Sequence, residues 1–207
     1  MSLHTLAYAA GIRDARVLAA LRSVPRSAFV PAMATVDSEE DEAIPIGCKE
    51  TTSQPTLCAR MIEALALGEE ETVLEIGTGS GSGYQTALLA RVAGRVVSVE
   101  YWHDLAEHAR QALTAQNVDT VTVLHGDGGA GAPQYAPFDA VLVSAAFPKV
   151  PAPLVEQLRE EGRLVQPLGP GGAEEVTLYR RLNGRLMRQQ RLLQARFVRL
   201  HGAHGYG

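Results

Sequence analysis

The sequence predicts an α/β protein with a doubly wound, mostly parallel sheet that ends in an antiparallel hairpin. Three observations carry that expectation. Short apolar runs at 72–76, 95–100, 120–125, 138–144 and 162–167 alternate with helical stretches, the pattern of a parallel sheet covered on both faces. A glycine-rich turn, Gly77-Thr-Gly-Ser-Gly-Ser-Gly83, follows the first run, and Glu100 closes the second. Past Gly172, two strand-like stretches at 176–182 and 186–200 flank Asn183-Gly184, which is hairpin turn chemistry.

Each element has its own warrant. Residues 12–24 place Val17, Leu18 and Leu21 at helical spacing, and Pro25 ends that helix. The stretch Val24-Pro-Arg-Ser-Ala-Phe-Val-Pro31 is bounded by prolines and reads as irregular. The acidic run 37–42 reads as a solvent-exposed loop. Residues 44–55 form a polar loop into a helix whose buried face carries Leu57, Met61 and Leu65. Further helices fit at 84–92, 103–115 and 152–159. The expected organisation is a single domain over 1–207: a helical, substrate-side segment at 1–70, a cofactor-binding α/β core at 71–170, and the hairpin at 171–207.

Composition narrows the function classes. A chain of 207 residues can bury a full core. Its net charge of −4 shows no basic footprint for nucleic acid. The arginines between Arg180 and Arg199 interleave with apolar residues and read as solvated strand faces. Cys48 and Cys58 lack CxxC spacing and clustered histidines, which argues against a disulfide framework or a metal site and for a reducing compartment. No apolar run reaches membrane-spanning length, and the N-terminus lacks a cationic start followed by an apolar stretch. A cytoplasmic protein with no membrane partner is expected.

The glycine turn and its acidic neighbours suggest a nucleoside cofactor. Gly77, Gly79 and Gly81 keep the turn free of Cβ atoms, so a ligand can lie against main chain. A strand-to-helix turn that merely needs positive φ is the plain alternative; Glu75 before it and Glu100 after it weigh toward binding. Glu100 stands at the carboxyl edge of its strand, where it can accept both ribose hydroxyls or serve as an ordinary surface charge. Trp102 either lies against an adenine face or packs under the next helix. Asp127-Gly128 would take an adenine amine or form a simple turn. Thr51, Thr52 and Ser53, taken alone, read as a helix cap. His103, His108, His125, His201 and His204 show no triad or metal spacing.

Topology favours a methyl donor over a nicotinamide, because the chain has no room for further parallel units and a separate substrate domain. Beyond that, the sequence resembles the protein-L-isoaspartate O-methyltransferase family. Val24-Pro-Arg-Ser-Ala-Phe-Val-Pro31, Thr51-Thr-Ser-Gln-Pro55, residues 73–85, 97–100 and 126–128, Phe138-Asp-Ala-Val-Leu-Val-Ser-Ala-Ala146, Glu161-Gly-Arg-Leu-Val-Gln-Pro-Leu-Gly169 and Arg196-Phe-Val198 occur in the family's order. The likeness runs over nearly the whole chain from about residue 21.

The resemblance implies a Rossmann-like class I methyltransferase sheet, S-adenosylmethionine as cofactor with S-adenosylhomocysteine as its product, and protein repair. A methyl group would pass to the free carboxylate of L-isoaspartyl residues in damaged proteins or peptides; the ester would close to a succinimide that reopens partly to aspartate. It also implies that Ser53 is the active-site serine beside the reacting carboxylate. Gly77, Thr78, Gly79, Gly81, Glu100, Trp102, Asp127, Gly128 and Ser144 would hold the donor. Thr51, Thr52 and Ala145 would face the substrate, and the protein would work as a monomer. A carboxylate with an ordinary pKa of about 4 is already ionised at pH 7, so no general base is required.

Two departures stand out. The family reads Gly-Thr-Gly-Ser-Gly-Tyr-Gln, whereas this chain carries an additional pair, best placed as Ser82-Gly83 and expected to bulge outward. Cys48-Lys49-Glu50 replaces the family's usual residues in a loop expected to touch the substrate peptide. That loop keeps open a related carboxyl methyltransferase with a dedicated peptide substrate. The altered glycine turn keeps open a cofactor-binding homologue without catalysis.

Overall fold

Strand β3 (Thr72–Ile76) shows how the sequence builds the sheet: Val73 and Leu74, adjacent in the chain, belong to separate hydrophobic clusters on its two faces. The computed structural model describes residues 1–31, 38–78, 82–169 and 172–206. Before β3 come α1 (Leu3–Ala9), α2 (Ala15–Ser23) and α3 (Pro55–Leu65). The Asp14 side chain caps α2 by accepting from the N–H groups of Arg16 and Val17. Pro55 opens α3, and Leu57, Cys58, Met61, Ile62 and Leu65 bury one face of it.

After β3 follow α4 (Tyr84–Leu89), β4 (Arg95–Glu100), α5 (His103–Ala115), β5 (Val121–His125), β6 (Phe138–Val143), α6 (Ala152–Glu156) and β7 (Leu158–Leu168). The hairpin is β8 (Glu174–Leu182) and β9 (Arg185–Ala195). The sheet order is β5-β4-β3-β6-β7-β8-β9. Pairs from β5 to β7 are parallel and the last two are antiparallel. The order reverses between β4 and β6 around β3, which puts the ligand crevice of an open α/β sheet at the carboxyl end of β3.

Several boundaries differ from the sequence expectation. The helix expected over 152–159 stops at Glu156. There the Gln157 side chain accepts from Ala132 N–H and donates to Ala130 O, both at 2.8 Å, and Leu158 already pairs with Phe138. The last strand stops at Ala195 rather than running to 200. The chain beyond it crosses to Ala146, whose N–H donates to Val198 O at 2.8 Å and whose carbonyl accepts from Leu200 N–H at 3.0 Å.

The expected loop at 44–55 contains a small antiparallel ribbon, β1 (Pro45–Gly47) with β2 (Glu50–Thr51). Its turn residues Cys48 and Lys49 have φ of 51° and 64°. Of the acidic run, Asp37 lies outside the described residues, and Glu39, Glu40 and Glu42 are exposed. Asp41 turns inward and holds the start of α3, accepting from Thr56 N at 2.8 Å and Thr56 Oγ1 at 2.5 Å. Among the described residues no helix is long and apolar enough to cross a membrane.

Candidate active site

The carboxyl ends of β3 and β4 build one half of the site. Gly77 follows β3 with φ +83°, a backbone conformation that favours glycine, and a Cβ there would sit in ordinary contact with Ser144 at 3.6 Å. Gly79 and Gly81 lie outside the described residues. Thr78 is buried, and its N–H donates to Glu100 Oε2 at 3.1 Å. The other carboxylate oxygen of Glu100 accepts from Trp102 N–H at 3.0 Å. Burial pushes the Glu100 carboxyl upward, opposed by backbone N–H bonds from Trp102, Thr78 and Tyr101.

Glu75, grouped from the sequence with the cofactor set, is instead a structural anchor. Fully buried, it accepts from Thr86 Oγ1 at 2.6 Å, Ser98 Oγ at 2.7 Å and Gln85 Nε2 at 3.3 Å, tying β3 to α4 and β4. The Ser82-Gly83 pair also departs from expectation. Both residues are buried rather than bulging outward, and Gly83 takes φ +88° where a Cβ would crowd Phe29 and Ala109. The positive φ that glycine supplies is used to fold the extra pair inward.

Gly77, Glu100, Trp102, Gly128, Ser144 and Ala145 come together around a cavity of about 50 Å³. The ribbon and the C-terminal segment close over it. Trp102 Nε1 donates to Glu50 Oε1 at 3.2 Å, the same oxygen lies 3.2 Å from His201 Nε2, and the His201 ring stacks on Tyr101 at 5.1 Å. Asp127 does not line this cavity: its carboxylate accepts from Gly129 N–H and from Ala203 N–H, both at 2.8 Å.

The other half is a larger cleft of about 540 Å³. Thr51, Thr52, Ser53, Arg60, Ser144 and Arg196 are among its lining residues. Thr51 to Ser53 do not cap α3: Gln54 occupies the N-cap position without a side-chain bond, and Asp41 supplies the acceptor. The Thr52 hydroxyl is committed inward, accepting from Ile44 N–H at 3.0 Å and Arg26 at 2.8 Å.

Arg26 organises this wall. Fully buried, its guanidinium donates to the carbonyls of Glu40 at 2.9 Å, Glu42 at 2.7 Å and Ser53 at 3.3 Å, so it fixes the backbone that presents the Ser53 side chain. Cys48 and Lys49 do not line this cleft, and Glu50 faces the smaller cavity instead. Thr51, Ser144 and Val198 line both spaces.

Sequence reasoning gave no role to Arg26 or Val198, placed Glu50 only in a loop expected to touch the substrate peptide, and found no triad or metal spacing at His201. Arg26 and Val198 sit in quoted motifs, but only the fold shows what they touch. Glu50 and His201 carry no local signal, because they meet across most of the chain.

The sheet order, the glycine turn after β3 and the buried carboxylate ending β4 define a Rossmann-like class I methyltransferase. A solved protein-L-isoaspartate O-methyltransferase superposes with a TM-score of 0.85 at 28% identity, covering 98% of this chain and 65% of that one; the chain thus spans just under two thirds of that solved protein. The sequence model described as Protein-L-isoaspartate(D-aspartate) O-methyltransferase (PCMT) matches residues 3–205. The chain belongs to this family.

The curated protein-L-isoaspartate O-methyltransferase of Roseiflexus sp. (strain RS-1) is 48% identical over 196 residues, 95% of this chain and 88% of that protein. That of Myxococcus xanthus (strain DK1622) is 45% identical over 195 residues, 93% of this chain and 91% of the relative. A Plasmodium falciparum structure assigned to the same family, solved with S-adenosyl-L-homocysteine, shares the fold with a TM-score of 0.80 at 22% identity, covering 96% of each chain.

Proposed function

We propose that this protein transfers the methyl group of S-adenosylmethionine to the free carboxylate of L-isoaspartyl residues in damaged proteins or peptides, as the names of its relatives indicate. The observation that carries the reading is the meeting of two spaces at Thr51, Ser144 and Val198, with Glu100 on one side and Ser53 on the other. The residues present fit the donor. Glu100 is a buried carboxylate bonded to backbone N–H groups, with acceptor capacity left for ribose hydroxyls. The Cβ-free Gly77 lets a ligand approach main chain.

When bound, S-adenosylmethionine supplies a methyl group activated by a sulfonium. The chain's own work is alignment. Glu100 and the Trp102 ring hold the nucleoside end, while Ser53 donates its hydroxyl to the substrate carboxylate and aims one oxygen across Ser144. The contact between Glu50 and His201 closes over the smaller cavity on its ribbon side. Alignment of this kind contributes up to about 7–11 kcal/mol. The carboxylate arrives ionised, so no side chain has to remove a proton.

Methyl transfer to matched isoaspartyl and aspartyl peptides tests the reading. Base-labile label is expected on the isoaspartyl peptide alone; label on both, or on neither with donor binding intact, overturns it. Ser53→Ala is expected to lower kcat about 10- to 100-fold, the value of one hydrogen bond to a charged group, with the donor Kd changed less than about twofold. An unchanged kcat would remove Ser53 from the mechanism.

A further inference from the structure

Among the described residues, the side chains that line the larger cleft carry charge of one sign. Its charged lining residues are Arg60 and Arg196, with no aspartate or glutamate among the described residues that line it. Each guanidinium is braced on main chain: Arg60 donates to Ala10 O and lies against Gly11, and Arg196 Nε donates to Gly172 O at 3.3 Å. Among the described residues neither makes an ion pair. On the adjoining hairpin, by contrast, Arg180, Arg181, Arg188 and Arg191 each lie beside a glutamate. A carbonyl uses only part of a guanidinium's five donors, and the rest favour a planar carboxylate. The charged side chains that face the cleft are therefore positive in a molecule whose net charge is −4, while Asp41 and Glu174 stand behind the lining residues Thr56 and Phe197 and are bonded to them.

We propose that Arg60 and Arg196 make acidic side chains next to the damaged site a recognition feature, so that the protein favours isoaspartyl sites with a neighbouring Asp or Glu over neutral or basic ones. This rests on assigning the larger cleft to the peptide. A neighbouring carboxylate seats on one of the two braced guanidinium groups while the isoaspartyl carboxylate stays at Ser53. The overall negative charge opposes long-range steering of such peptides. The preference is therefore a short-range contact effect, felt in KM rather than in kcat, because the contact is the same before and during methyl transfer.

The test uses the wild-type protein and isoaspartyl peptides with blocked termini, differing only in Glu, Gln or Lys on the amino or the carboxyl side of the site. Blocking removes terminal carboxylates as competing occupants. KM is expected to rise from Glu to Gln to Lys on at least one side, about threefold per step for a solvated pair. kcat should stay within about twofold, and the spread should shrink in about 0.5 M salt.

Arg60→Glu and Arg196→Glu are expected to flatten or invert the order on the side each guanidinium serves. Equal KM values across the wild-type panel would overturn the proposal without any variant having to fold. An order that survives both reversals would overturn it too. Methylation of none of the peptides would instead count against the activity itself, a separate failure.

Discussion

A carboxylate removed from water needs donors or keeps its proton, and among the described residues Glu100 draws its donors from backbone N–H groups, Thr78 in the turn after β3 and Trp102 in its own turn. Burial is the largest influence on it and raises its pKa above the usual 4.5. The folded protein therefore takes up that proton more readily than the unfolded chain, so Glu100 costs stability at neutral pH and acidification relieves the cost. Donor binding has the opposite sign, because ribose hydroxyls are gripped by the ionised form. Affinity for S-adenosylhomocysteine is expected to be full above the raised pKa and to fall as pH drops through it, beginning above 4.5. Glu100→Gln should weaken that affinity about 10- to 100-fold at pH 7 and flatten its pH dependence. Calorimetric titration across pH checks both, and equal affinities for wild type and variant at pH 7 would exclude the ribose role.

At the scale of elements, the hairpin was legible because Asn183-Gly184 marks its turn, with φ of 51° and 73° there. Where β9 ends was not, since the apolar pattern continues through Phe197, Val198 and Leu200. Those residues do bury or pack, but against the two core clusters and beside Ala146 rather than as a continued strand. The segment then fastens to the site: His201 reaches Glu50, and Ala203 N–H donates to Asp127. Gly202 makes this possible at φ +102°, where any Cβ would collide with the Asp127 carboxylate. Gly202→Ala is therefore expected to detach residues 201–206, costing about 1–3 kcal/mol if the strain is kept. The readout is hydrogen exchange at Ala203, which should speed up markedly. Unchanged protection would mean that the segment is held elsewhere.

Across the whole molecule, what the sequence revealed is what short-range pattern encodes. Alternating runs marked the core strands, and Gly77 with Glu100 marked the crevice at the carboxyl ends of β3 and β4. Contacts between distant positions stayed hidden: Arg26 to Ser53, Glu50 to His201, and the hold of Arg163 on the opposite end of the sheet. Arg163 joins β7 to the α3–β3 connection, donating to Leu65 O at 2.8 Å and to both Glu71 oxygens at 2.9 and 2.5 Å. The hydrogen bond from Arg163 is the main reason that the Glu71 carboxyl titrates below its usual 4.5. A depressed carboxyl pKa stabilises the fold above the unfolded value, and that stabilisation is lost as pH falls through the folded one. Both groups are partly exposed, with side-chain accessibilities of 20% and 27%, so screening limits the pair to about 1 kcal/mol. Arg163→Gln should thus lower the urea midpoint at pH 7, and the gap from wild type should narrow as pH is taken below about 4. A gap independent of pH would assign the effect of Arg163 to its bonds with the Leu65 carbonyl and leave Glu71 out of the account.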